Sequence, residues 1–184
     1  MITNVFTGQK VRLSVFDPEK DAALMAKWTR DSLYSRLLGS EPAMQWTPKQ
    51  IRDFFEKEQD IYLFMIHTLE DDRTIGLVDL SGFDWAARHA WVGIGLGERQ
   101  DWGKGYGTDA MQVILRYAFT ELNLQRVNLS VFEYNLRGYK SYRKAGFVEE
   151  GRLRGWMARD GKRHDLIFMG ILRSEWEALQ QGEK

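Results

Sequence analysis

A glycine-rich stretch directly before a strongly helical segment constrains the fold of this chain more than any other feature. In "ERQDWGKGYGTDAM", Glu98–Met111, glycine occupies every second position from 103 to 107. The preceding residues, "HAWVGIGL", are typical of a strand, and apolar side chains recur at helical spacing after the glycines. Amides that begin a helix are unpaired and positively polarised, and glycine lets a ligand approach them closely. The sequence therefore predicts a strand, a loop and a helix that together bind a phosphate or pyrophosphate group.

Two common phosphate-binding loops do not fit this stretch. A Walker A loop needs Ser or Thr directly after Gly-Lys, and here Lys104 is followed by Gly105. A dinucleotide loop reads G-x-G-x-x-G after the first strand of a βαβ unit, with an acidic residue about 20 positions later. This stretch reads G-x-G-x-G, and the segments before it resemble antiparallel hairpins. It predicts a phosphate site of another kind or, as the alternative, a turn that only reverses the chain.

The rest of the chain predicts one domain, residues 1–184, of mixed α/β (α+β) class, without repeats or linkers. The predicted strands are "KVRLSVF", "IYLFMIHT", "RTIGLVDLSGF", "HAWVGIGL", "RVNLSVF" and the two arms of the hairpin "VEEGRLRGWMARDGKRHDLIFMGIL". The predicted helices are "DPEKDAALMAKWTRDSL", a segment opened by Thr47-Pro48, the segment after Gly107, "NLRGYKSYRKAGF" and "SEWEALQQ". The segment around Gly39 and Pro42 is expected to be a looser connection.

Composition excludes several functional classes. Lys plus Arg and Asp plus Glu both number 26, which argues against capture of nucleic acid or an anionic membrane. There is no cysteine, and the three histidines lack a helical metal-ligand spacing, so we expect no metal site. No apolar run approaches the roughly 20 residues of a membrane helix, and the N-terminus lacks a signal-peptide pattern. A cytoplasmic location is the expectation.

Three motifs then point to one family. "WGKGYGTDAM" resembles the acetyl-CoA loop of the GNAT superfamily of N-acetyltransferases, whose signature is Gln/Arg-x-x-Gly-x-Gly/Ala. The matching positions are Trp102, Gly105 and Gly107, and a tryptophan at the first of them is typical of the RimJ/RimL-like branch. "NLRGYKSYRKAGF" resembles the same branch through Asn135, Tyr142 and the closing Gly-Phe, as does the ending "EEGRLRG…DGKRHDLIFMGILRSEW". The resemblance covers about residues 10–176.

The resemblance implies a mostly antiparallel, twisted sheet of about seven strands with helices on both faces. The sheet would be splayed between strand 4 and strand 5, with the pantetheine arm of acetyl-CoA lying in the gap. Acetyl-CoA would be the co-substrate, and an amine would attack it directly, in agreement with the absence of cysteine. The cofactor-binding residues implied are Gly95, Leu96, Gly97, Trp102, Gly103, Lys104, Gly105, Tyr106, Gly107, Thr108, Asn135 and Tyr142. Asn135 has a second reading, as the N-cap of its helix.

The resemblance also suggests catalytic residues. Tyr142 is the predicted general acid that protonates the departing thiolate, with Tyr139 as the alternative aromatic residue. Many relatives carry an acidic residue early on the strand before the loop, where this chain has Trp91. Asp79 and Glu133 are therefore the candidate general bases, directly or through water. His89 is less favoured than either.

The acceptor is the least constrained part of the prediction. Selectivity is expected from residues 32–48 and from the hairpin tip, residues 158–163. The first of these segments is aromatic and apolar and holds little concentrated acid for a polyamine. We therefore expect a peptide or protein N-terminus or a small amine. Spermidine acetyltransferases share the sequence motifs "GLV(D/E)L" and "YRKxGF" and are the enzymatic alternative. A catalytically silent acetyl-CoA sensor and a regulatory domain that binds another nucleotide also stay open, as does a homodimer.

Overall fold

Seven strands form one mixed sheet in the computed structural model, which describes residues 4–58 and 60–182. The strands are β1 (Val11–Val15), β2 (Ile61–Thr68), β3 (Thr74–Asp84), β4 (His89–Leu96), β5 (Arg126–Phe132), β6 (Val148–Arg159) and β7 (Lys162–Leu172). Their order across the sheet is β1-β2-β3-β4-β5-β7-β6. Every neighbouring pair is antiparallel except β4 and β5, which are parallel. The predicted fold class is confirmed.

Helices cover both faces of the sheet. They are α1 (Pro18–Trp28), α2 (Ser32–Leu38), α3 (Pro48–Lys57), α4 (Tyr106–Thr120), α5 (Leu136–Ala145) and α6 (Arg173–Gly182). The larger apolar core lies on one face and takes its helical residues mainly from α4. The smaller core lies on the other face and joins α1, α2 and α3 to Met65 and Leu77. Within the described ranges, no helix is long and apolar enough to cross a membrane.

The sequence prediction of a single helix from Asp17 to Leu33 was wrong. α1 ends at Trp28, and a second helix, α2, begins at Ser32 in the segment that was expected to continue into a loose connection. The carboxylate of Asp31 accepts the amide hydrogen of Leu33 at 3.0 Å, which makes Asp31 an N-cap. Arg99 also holds that carboxylate through both of its oxygens. A cap fixed from outside the segment therefore starts a new helix where the apolar periodicity suggested continuity.

The sheet opens into a fork between β4 and β5. Their pairing is limited to His89 with Arg126, Ala90 with Val127 and Trp91 with Asn128. Beyond Trp91, β4 stays paired with β3, and β5 stays paired with β7. At the end of the short ladder, the side-chain amide of Asn128 donates to the carbonyl oxygen of Ala90 at 3.2 Å. The predicted splay is confirmed.

The carboxylate of Asp109 fastens the first turn of α4 to the start of β1. It accepts the amide hydrogens of Gln9, Lys10 and Val11 at 3.0, 2.7 and 2.9 Å. Asp109 is only 7% exposed, and its position in the first turn of α4 suits the helix dipole. The ammonium group of Lys10 donates to the carbonyl oxygen of Lys104 at 3.0 Å, which adds a second link. The glycine loop before α4 is thus held from outside as well as by its own helix.

Replacing Asp109 by Ala is expected to destabilise the protein strongly. Three amide donors would lose their acceptor, and we expect the free energy of unfolding to fall by about 3 kcal/mol. Asp53→Ala, which removes an exposed partner of Lys49 one turn away on α3, is the control and should change it by about 0.5 kcal/mol. Urea denaturation measures both, and equal effects would contradict the anchoring role.

Candidate active site

A cavity of about 470 Å³ opens where β4 and β5 separate, between the glycine loop and α5. Most of the predicted cofactor-binding residues line it. These are Gly95, Leu96, Trp102, Gly103, Gly105, Gly107, Thr108, Asn135 and Tyr142. The fold therefore brings together residues that are up to 47 positions apart in sequence, from three different elements.

The glycine loop owes its shape to two left-handed residues. Gly103 and Gly105 have φ angles of +77° and +88°, and Gly105 is the N-cap of α4. A Cβ atom at Gly103 would meet nothing within 4 Å, so backbone conformation rather than packing requires glycine there. The first amides of α4 have no partner within the helix and are positively polarised. This geometry is suited to an anion.

Three predicted cofactor residues lie outside the cavity wall. The amide of Gly97 donates to the carbonyl oxygen of Ile75 at 2.9 Å, and a Cβ atom on Gly97 would lie 2.1 Å from the indole nitrogen of Trp28. Gly97 is therefore a packing glycine that accommodates Trp28. Lys104 contributes its carbonyl oxygen to Lys10, and Tyr106 packs against the core around α4. The predicted contact of these three with the cofactor stays a prediction.

Tyr142, the predicted general acid, lies on α5 at the cavity wall. Burial raises the pKa of its hydroxyl to about 12, and the nearby charge of Arg137 opposes that rise. The hydroxyl is therefore protonated at neutral pH, as a proton donor requires. Tyr139 lies elsewhere, because its hydroxyl donates to Glu149 at 2.9 Å. Of the two tyrosines, Tyr142 lines the cavity.

Asn135 combines the two readings that the sequence left open. Its side-chain oxygen accepts the amide hydrogen of Gly138 at 3.0 Å, which makes it the N-cap of α5. The same residue is buried, with 8% exposure, and lines the cavity. The cap orients its side chain, so that a structural role and a role toward a ligand are compatible.

Asp79 lies on the sheet face covered by α1 to α3, directly beside the fork. It pairs in register with Gly93, and a Cβ atom on Gly93 would be 2.6 Å from one of its carboxylate oxygens. Burial raises the pKa of Asp79 to about 6, and a hydrogen bond of 3.1 Å from Ser81 opposes part of that shift. A carboxyl group with a pKa near neutrality can exchange protons at physiological pH. Asp79 does not line the cavity itself.

The other candidate bases are placed differently. Glu133 follows β5 and lies 3.2 Å from the ring nitrogen Nδ1 of His164 on β7, away from the cavity wall. His89 begins β4 at the closed end of the fork. Trp91 occupies the position at which an acid was expected, and its ring packs edge-on against Phe168 with 6.0 Å between ring centroids. Among these residues, Asp79 has the environment best suited to a base.

Two parts of the cavity wall are not among the predicted cofactor-binding residues. Tyr34, Leu37 and Leu38 of α2 form one wall, and the Tyr34 hydroxyl lies 3.2 Å from where a Cβ of Gly95 would be. Burial raises the pKa of Tyr34. The N-cap residue Asp31 is the sequence feature that could have predicted this helix. Arg137 also lines the cavity, and no local pattern indicates it.

Comparison with known proteins gives a consistent result. A family model described as an acetyltransferase (GNAT) domain matches residues 10–148. The uncharacterized N-acetyltransferase p20 of Bacillus licheniformis is 28% identical, over 85% of this chain and 90% of its own length. The putative ribosomal N-acetyltransferase YdaF of Bacillus subtilis (strain 168) is 34% identical, over 63% of this chain and 61% of its own length.

A solved structure shows the same fold. The spermidine N-acetyltransferase from Vibrio cholerae, crystallised in complex with CoA and spermine, has a TM-score of 0.80 to this chain at 24% identity. The superposition covers 91% of this chain and 98% of the other. Since the family model spans more than half of the residues, the chain belongs to the GNAT family and is an acetyl-CoA-dependent N-acetyltransferase.

Proposed function

We propose that the protein acetylates the amino group of a protein or peptide N-terminus or of a small amine, as a member of the RimJ/RimL-like branch. The observation that carries this proposal is the charge beside α2. The hairpin tip, residues 158–163, holds Arg159, Lys162 and Arg163 against one carboxylate, Asp160, which pairs with Arg36. An acceptor with several ammonium groups would be repelled there more strongly than an acceptor with one.

Contacts between the hairpin tip and α2 support the assignment of both to the acceptor side. One nitrogen of Arg159 donates to the carbonyl oxygen of Arg36 at 2.6 Å and to the hydroxyl of Tyr134 at 2.7 Å. The Tyr134 hydroxyl donates in turn to the same carbonyl oxygen at 2.9 Å. Since α2 forms a wall of the cavity, the two segments expected to select the acceptor form one structural unit.

The main alternative is a polyamine acceptor. The spermidine N-acetyltransferase from Vibrio cholerae shares the fold and was crystallised with spermine. YdaF, named as a putative ribosomal N-acetyltransferase, favours a protein acceptor instead. Fold likeness at 24% identity does not choose between them, so the local charge decides our preference.

The residues of the cavity fit acetyl-CoA. We assign its pyrophosphate to the amides of residues 103–108 and the pantetheine arm to the fork, where β4 is no longer paired with β5 beyond Trp91. An amide near Gly95 and Leu96 would stabilise charge on the thioester oxygen. Acetyl-CoA supplies the activated acyl group, and the chain supplies position and proton transfer.

We assign proton transfer to Tyr142 and Asp79. Tyr142 gives its proton to the departing thiolate, and Asp79 accepts a proton from the attacking ammonium group through water. An α-ammonium group has a pKa of about 7.7–8.0 and a lysine-like amine about 10.4. A base with a pKa of about 6 is closer to the first, which favours an α-amino acceptor. Glu133 is the weaker candidate because it lies beside His164.

Four further parts of the sequence interpretation are proposed here as well. The chain acts as one catalytic domain over residues 1–184, in the cytoplasm. No metal ion is assigned to its reaction, as expected from the sequence. A homodimer is proposed as its assembly.

A panel of acceptors tests the proposed function. Peptides with free N-termini, small monoamines and spermidine are compared by thiol release, which has no protein background because the chain lacks cysteine. We expect peptides or monoamines to give kcat/KM values at least about tenfold above spermidine, corresponding to about 1.4 kcal/mol. Faster turnover of spermidine would establish the polyamine alternative. Tight binding of acetyl-CoA without turnover of any acceptor would favour the silent sensor.

Tyr142→Phe is expected to lower kcat by about 100-fold, because the thiolate would leave without a positioned proton donor. Affinity for acetyl-CoA, measured by calorimetry, should change by less than about twofold, since the ring stays in place. Tyr139→Phe is the matched control on the same helix and should leave kcat unchanged. A Tyr142→Phe enzyme with full turnover would remove Tyr142 from the acid role.

Asp79→Asn is expected to abolish the acid limb of the pH profile. In the parent, kcat/KM should rise as the pH passes about 6, the pKa to which burial raises Asp79.

A raised carboxyl pKa also means that ionisation of Asp79 lowers the free energy of unfolding. This group therefore destabilises the fold as the pH rises from about 4 to 6, by up to about 3 kcal/mol. Asp79→Asn should remove that loss, whereas Glu56→Gln, at an exposed site on α3, should not.

A further inference from the structure

A cation–π stack joins Arg137 of α5 to Trp102, at the start of the glycine loop. The guanidinium carbon of Arg137 lies 3.5 Å from the centroid of the Trp102 ring. The ring is held in place because its Nε1–H donates to the carbonyl oxygen of Leu96 at 2.9 Å. A cation over a fixed indole face is held by a cation–π contact. The contact joins α5 to the loop across the mouth of the cavity.

The location of this charge is unfavourable for a purely structural role. Arg137 is the second residue of α5, where the helix dipole disfavours a cation. Within residues 4–58 and 60–182, no Asp or Glu forms an ion pair with it. Desolvation at the cavity wall lowers the pKa of Arg137, although a guanidinium stays charged at neutral pH. A ligand of opposite sign would compensate this charge.

The same cavity contains a second feature that attracts anions. Trp102 and Arg137 line it together with Gly103, Gly105 and Gly107 of the loop that begins α4. Loop amides and the guanidinium group therefore face a common space from two different elements. Planar guanidinium groups bind phosphate oxygens through paired donors.

We infer that Arg137, oriented by Trp102, binds the pyrophosphate of acetyl-CoA opposite the loop amides. This inference deepens the cofactor placement made under Proposed function and rests on it. It assigns a binding role to Arg137 and a positioning role to Trp102. The alternative is a stack that only packs α5 against the loop.

The test compares three ligands by calorimetry or ligand-observed NMR. CoA carries the pyrophosphate and a ribose phosphate, 3′-dephospho-CoA carries the pyrophosphate alone, and pantetheine carries neither. Arg137→Gln should lower the affinity for CoA and for 3′-dephospho-CoA by about tenfold each and leave the affinity for pantetheine unchanged. Arg137→Lys should recover part of the affinity. A loss seen with CoA but not with 3′-dephospho-CoA, or an equal loss with pantetheine, would overturn the assignment.

Further variants separate binding from packing. Arg143→Gln removes the same charge from the last turn of α5, away from the cavity, and should not change the affinity for CoA. Trp102→Leu should lower the affinity for CoA as much as Arg137→Gln does. The double variant should lose little more affinity than either single variant, because the pair acts as a unit. Full additivity would contradict the coupling.

Two further variants distinguish an error in the loop assignment from an error in the role of Arg137. Gly105→Glu places a carboxylate in the loop, and Gly161→Glu makes the same change at a left-handed glycine of the hairpin tip. If both variants bind CoA like the parent, the loop assignment itself is wrong, and the inference falls with it. If only Gly105→Glu loses CoA while Arg137→Gln keeps it, the site stands and the role of Arg137 is refuted.

Discussion

Between β4 and β5 the hydrogen-bonded ladder ends after Trp91, and the two halves of the sheet separate from there. Beyond this point each strand keeps its outer neighbour, so one edge of β4 faces an opening inside a sheet that is otherwise continuous. A backbone edge without a partner is favourable only where something else satisfies its polar groups. The fork, the loop that follows β4 and the wall made by α5 all follow from this incomplete pairing.

Burial raises the pKa of both proposed proton-transfer groups but leaves them in opposite protonation states at neutral pH. It raises the pKa of Tyr142 to about 12 and that of Asp79 to about 6, so that one holds its proton at neutral pH while the other has mostly lost it. Tyr142 lies at the cavity, and Asp79 lies on the face covered by α1 to α3, beside Gly93. A missing side chain on β4 leaves the space that the carboxylate occupies. Glycine thereby shapes the sheet as well as the loop.

Local chemistry made much of the fold predictable, because strands, caps and the hairpin turn are encoded by neighbouring residues. The glycine loop was predicted from its own residues as a phosphate site, whereas Asn135 and Tyr142 were predicted through the resemblance to the GNAT family; Gly105, Asn135 and Tyr142 all line the cavity. The break between α1 and α2 was not predicted, since Arg99 holds the cap Asp31 from 68 positions away. Arg137 and Trp102 meet across 35 positions, and only the folded chain reveals such a contact.

The three hydrogen bonds accepted by Asp109 have a consequence for sequence variation. The carboxylate accepts hydrogen bonds from backbone amides, and every amino acid except proline supplies an amide hydrogen. Gln9, which is exposed, is therefore free to change its side chain in descendants of this protein, but a proline there would remove a donor. Gly8 has no such freedom, because a Cβ atom would lie 2.4 Å from an oxygen of Asp109. Side chains that do not contact Asp109 can therefore change in this segment while its backbone path stays the same.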